Sequence, residues 1–84
     1  MYYNDPEAIA EIVSMLFSIH PNCRVNEFKL SQTWHDLGFD EFDKREVLFA
    51  VEKEFKFEFS DQEIERFRNL DDVVNHLAKS FWIH

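Results

Sequence analysis

Eighty-four residues make one domain, near the lower limit of what buries enough surface to fold alone. The formal net charge of −8 repels phosphate backbones and anionic membranes, so the expected partner is neither nucleic acid nor bilayer but a protein with a basic surface. One glycine and two prolines leave little material for hairpins, ten phenylalanines allow a dense aromatic core, and a single cysteine, Cys23, precludes an internal disulfide or zinc–thiolate cluster.

The opening MYYNDPEAIAEIV has no basic region followed by an apolar core. No apolar run approaches the roughly 20 residues that span a bilayer. A soluble, intracellular chain without membrane insertion is expected. Asp5 is placed to cap a first helix, with Pro6 at its first position. Ile9, Ile12, Val13, Leu16 and Phe17 then fall on one helical stripe, and Met15 reads as core or core edge. This helix is expected over about 6–19, ending by His20 before Pro21.

Residues 20–39 show no sustained period. Apolar anchors at Val25, Phe28, Leu30, Trp34, Leu37 and Phe39 predict a long ordered loop pinned across a helical core. Gly38, near its end, suits a backbone angle that other residues resist. Asp40 then caps a second helix over about 41–55, with Glu41 and Asp43 in its first turn, where negative charge suits the dipole. Val47, Leu48, Val51 and Phe55 form its buried stripe. Phe42 and Phe49 are expected at the rim, and Asp43, Glu46, Lys53 and Glu54 on the wet side. Glu52 and Lys56 are spaced for an i,i+4 pair.

Phe55 to Phe59 alternates with period two, but nothing else offers it a strand partner. It reads as extended loop with Phe57 and Phe59 anchored inward. Ser60 and Glu63 form a capping box that opens a short third helix over about 61–67. Asn69 caps a last helix over about 70–82, whose stripe is Leu70, Val73, Val74, Leu77 and Phe81. Phe81, Trp82 and Ile83 exceed the apolar need of a last turn, so the tail either folds back on the core or docks on another chain. Trp34, Tyr2 and Tyr3 are further candidate contacts.

Little catalytic chemistry is visible. His20, His35, His76 and His84 have no ligand spacing, so no metal site is expected. DLGFDEFDKREV superficially resembles a calcium loop, but its glycine falls third and its twelfth residue is Val47. Asp40 and Asp43 at a solvated helix start make a poor acid–base pair. One basic neighbour, Arg24, does not activate Cys23.

Three long helices, a short one before the last and a long first loop describe an all-α, irregular four-helix bundle. The stretch from Asp36 to Phe59, DLGFDEFDKREVLFAVEKEFKFEF, resembles the central segment of acyl carrier proteins, with their DLG-x-DSL motif and acidic recognition helix. The match runs ungapped from about Trp34 through the last helix. EKEFKFEFSDQEIERF is similar to the EEFGFEIPDxxAEKL type of bacterial and mitochondrial carriers, whereas the first helix agrees only in position and pattern.

Directly after Asp40 that family places the serine that bears phosphopantetheine, and this chain has Glu41. The resemblance therefore implies a degenerate member, not an enzyme, with no cofactor. It also implies that Asp40, Glu41, Phe42, Asp43, Lys44, Arg45, Glu46 and Phe49 meet a partner. Lys44 and Arg45 interrupt the usual acidity, and Arg45 stands at a usually apolar position. The implied partner is a protein with a basic or mixed-charge helical surface, either an LYR-type subunit or a carrier-protein partner enzyme. The implied setting is the mitochondrial matrix or bacterial cytoplasm. Two alternatives stand beside it: a regulator or decoy in a specialised fatty-acid or polyketide pathway, and an active carrier whose serine has been substituted.

Overall fold

In this computed structural model residues 5–82 are described, up to the backbone of Trp82. Tyr2, Tyr3, Ile83, His84 and the Trp82 side chain, and with them most of the expected apolar tail, lie outside the described residues. The order is α1 (Pro6–Ser18), α2 (Glu41–Phe55), α3 (Asp61–Arg66) and α4 (Leu70–Trp82). Among the described residues there is no strand, only an isolated antiparallel bridge between Thr33 and Asn69. The chain is an all-α bundle in which α1 packs against α4 and α2.

Each helix starts on a side-chain cap. Asp5 accepts the Glu7 N–H at 3.0 Å with Pro6 following it. Asp40 and Asp43 form a reciprocal capping box at α2, as Ser60 and Glu63 do at α3. Asn69 Oδ1 accepts the Asp72 N–H at 2.8 Å at the start of α4. The end of α2 uses a different device. Lys56 takes a left-handed conformation, φ 54°, and the Phe57 N–H returns to the Glu52 carbonyl. The Glu52 carboxylate accepts the Phe59 N–H at 2.8 Å instead of holding Lys56, so it shapes the turn out of the helix.

The core is one cluster built on Ile9, Val13 and Phe17 of α1, Val47, Leu48, Val51 and Phe55 of α2, and Leu70, Val73, Val74 and Leu77 of α4. Phe17 is fully buried and its ring meets Phe28 and Phe39 of the loop. A side chain of this size contributes about 1.5–3 kcal/mol on burial. Two positions depart from expectation. Met15 is 50% exposed, because Ile9, Val13 and Phe17 set the buried face and Met15 lies across the helix from it. Phe57 is half-buried, with its ring edge-on to Phe81 and tilted against Phe59.

The long loop is ordered by contacts with the far end of the chain. The buried Trp34 indole N–H donates to the Phe67 carbonyl at 2.9 Å, and the Asp71 N–H donates to the Leu30 carbonyl at 3.0 Å. A tight turn follows, in which Gly38 (φ +82°) donates to the His35 carbonyl and Phe39 donates to that of Trp34. That turn sets Asp40 at the start of α2.

Candidate interaction site on the second helix

The residues proposed to meet a partner do not share one environment. Asp40, Glu41, Phe42, Arg45, Glu46 and Phe49 are exposed; Asp43 and Lys44 are buried. Phe42 is 71% exposed and Phe49 is 59% exposed, so both stand in solvent and not at the rim of the core. They lie two turns apart on one face, with Arg45 and Glu46 between them. The Lys53 ammonium sits 5.3 Å from the Phe49 ring centroid, a cation–π contact. Glu41 and Arg45 form a loose i,i+4 pair at 3.6 Å, with both side chains largely in water. Such a pair contributes only about 0.3–0.5 kcal/mol.

Asp43 is a correction to the wet-side expectation. One carboxylate oxygen accepts the Asn22 side-chain amide at 2.7 Å and the other accepts the Asp40 N–H at 3.2 Å. Burial alone would raise its pKa, but these hydrogen bonds outweigh it and hold the carboxyl below the usual range. Lys44 departs in the same way, being 5% exposed. The physical reason is legible in hindsight. Both residues precede Val47 by one turn, and Lys44 also precedes Leu48 and Val51 at helical spacing, so the buried stripe runs back through them.

The fold also assembles a group that spacing alone could not show. His20, Asp43 and Glu46 place their potential ligand atoms within 4.8 Å of one another. Their hydrogen bonds do not fit a metal ion. His20 Nδ1 accepts the Asn22 backbone N–H at 3.0 Å, so the neutral ring carries its proton on Nε2 and donates it to Glu46 Oε1 at 2.8 Å. A ligand nitrogen needs that lone pair free and a proton on the other nitrogen. The group is instead a clasp between the end of α1, the loop and α2. Sequence reasoning missed it because its members lie more than twenty residues apart, although a histidine and an asparagine flanking Pro21 were a visible signal.

No protein-family model matches the chain. Known proteins do. An acyl carrier protein of Campylobacter concisus is 33% identical over 73 residues, covering 87% of this chain and 91% of that relative. One from Campylobacter curvus is 32% identical over 71 residues, covering 84% and 88%. The mitochondrial acyl carrier protein 2 of Arabidopsis thaliana is 41% identical over 44 residues, covering 52% of this chain and 35% of its own length.

Proposed function

This chain belongs to the acyl carrier protein family, and from that premise we propose that it is a non-catalytic member that carries no phosphopantetheine and acts as an interaction or scaffold subunit through α2. The observation that supports this reading is Glu41, a solvated carboxylate that opens α2 directly after Asp40. Attachment of the arm needs a hydroxyl oxygen that ends in a stable phosphodiester. A carboxylate would give an acyl phosphate, which water cleaves. Neither Ser31 nor Ser60 takes over: Ser31 lies in the loop before the motif, and the Ser60 hydroxyl accepts the Glu63 N–H.

What the chain keeps is the surface. Phe42 and Phe49 expose aromatic area on α2, framed by Asp40, Glu41, Arg45 and Glu46. Aromatic anchors inside a charged rim suit a protein partner whose helical surface is basic or mixed in charge, such as an LYR-type subunit or a carrier-protein partner enzyme. The proposed setting, mitochondrial matrix or bacterial cytoplasm, follows the origins of the relatives. Among the described residues no helix is long and apolar enough to cross a membrane.

Intact-mass measurement tests the loss of the arm. The protein is taken from its own source, and recombinant protein is incubated with coenzyme A and a broad phosphopantetheinyl transferase. The expected result is no pantetheine-sized increment in either sample. An increment would overturn the reading and locate the residue that accepts it.

A further inference from the structure

Lys44 is the cation that α2 turns inward. It is 5% exposed, whereas Lys29, Lys53, Lys56 and Lys79 are all exposed. Its ammonium forms no hydrogen bond or ion pair with any described residue. It lines an open cleft of about 410 Å³ beside the start of α2, whose apolar wall is Trp34, Phe39 and Phe67. His35, Arg68, Asp40, Glu41 and Glu65 stand around the same cleft. Burial pushes the Lys44 pKa down. Glu41, Glu65 and Asp72 pull it up and Arg45 pushes it down again, and the net effect is a lowered value.

We propose that Lys44 is a covalent acyl-acceptor site, its neutral amine attacking the carbonyl carbon of an acyl thioester whose apolar acyl group lies on Trp34, Phe39 and Phe67. A C–N bond forms and the C–S bond breaks. The sulfur leaves as thiolate and takes up the proton lost by nitrogen, so a free thiol and a stable amide remain. No oxidant, reductant or metal is required. The electrophile class follows from the chemistry of the cleft. A free carboxylate would form only an ion pair with this amine, so the carboxyl must arrive activated. The aromatic wall favours an apolar acyl substituent over a charged one. Acylation also converts a poorly solvated ammonium into a neutral amide, removing a buried charge. This goes beyond docking through α2, because Lys44 faces the cleft and not the exposed Phe42–Phe49 face.

The test incubates the full chain at pH 7 with S-hexanoyl-N-acetylcysteamine and follows acylation at each lysine by peptide mass spectrometry. Lys44 is expected to react at least about fivefold faster than each of Lys29, Lys53, Lys56 and Lys79. Its lead is expected to narrow as pH approaches about 10, where ordinary lysines also lose their protons. The S-acetyl analogue, with less apolar surface for the wall, is expected to discriminate less. Lys44→Arg removes the fast site and leaves the other four rates unchanged. Equal rates at all sites would overturn the proposal, as would Lys44 reacting slowest through shielding. The ranking is read within one unmodified chain, so it does not depend on the variant folding.

Discussion

His20 Nε2 lies 2.8 Å from Glu46 Oε1, tying the end of α1 to the middle of α2. The two ends of this contact differ in setting. The His20 side chain is 9% exposed and its ring packs on Phe39 at 5.0 Å, whereas the Glu46 side chain is 51% exposed. Removing the histidine therefore takes away packing as well as a hydrogen bond. His20→Ala is expected to lose about 1–2 kcal/mol of stability. Glu46→Gln keeps an acceptor oxygen in place and is expected to lose no more than about 0.5 kcal/mol. Urea unfolding of the two variants beside the parent checks the ratio, and equal losses would contradict the asymmetry.

The Asp43 carboxyl makes stability depend on pH in one direction. Its folded pKa lies below the ordinary carboxylate value because the Asn22 and Asp40 hydrogen bonds outweigh burial. The unfolded chain then binds the proton first as pH falls, so the contribution is complete above the ordinary carboxylate range and is lost on descending through it to the folded value. Asp43→Asn keeps the shape but places an amide where an acceptor is needed. The variant is expected to be less stable at pH 7 and to lose less on acidification to pH 3. Urea midpoints measured across that interval decide it; parallel curves for the two proteins would remove Asp43 as a source of the slope.

Local rules carried most of the fold, and long-range contacts account for what escaped them. Asp5, Asp40, Ser60 and Asn69 act within three residues of themselves, so their caps can be read from the sequence and the helix order follows. The path of residues 20–39 is fixed by Trp34 meeting Phe67 and by Leu30 meeting Asp71, partners separated by more than thirty residues. No periodicity reports such pairs. The site failed in another way. Charge suggested solvent for Asp43 and Lys44, while their spacing from Val47 and Leu48 suggested the core. Spacing prevailed because Asn22 supplies the carboxylate with a partner and a cleft gives the ammonium an outlet.

Two residues with positive φ are expected to respond oppositely to substitution. Gly38, at φ +82°, has nothing within 4 Å of where a Cβ would stand, so Gly38→Ala meets a backbone penalty without a steric one. The expected loss is about 1–2 kcal/mol. Lys56, at φ 54°, already bears that penalty at the end of α2, and its side chain is exposed. Lys56→Gly is expected to gain about 0.5–1 kcal/mol. Thermal unfolding of both variants shows the opposing shifts, and a destabilised Lys56→Gly protein would mean that the lysine side chain contributes more than its conformation costs.

The exposed and buried residues of α2 are expected to separate binding from stability. Phe42 and Phe49 stand in solvent, so Phe42→Ser with Phe49→Ser removes little that holds the fold, apart from the Lys53 contact with the Phe49 ring. Their combined effect on unfolding is expected to stay within about 1 kcal/mol. If α2 is the docking surface, the same pair removes two aromatic anchors and weakens association by about 2 kcal/mol or more. Asn22→Ala is the converse control: it withdraws the amide from buried Asp43 and touches none of the exposed face, so it is expected to lower stability and leave affinity unchanged. Affinity for an isolated partner is measured by calorimetry beside the unfolding midpoint of each variant. Serine substitutions that left affinity intact would place the partner on another surface, whatever Asn22→Ala did to stability.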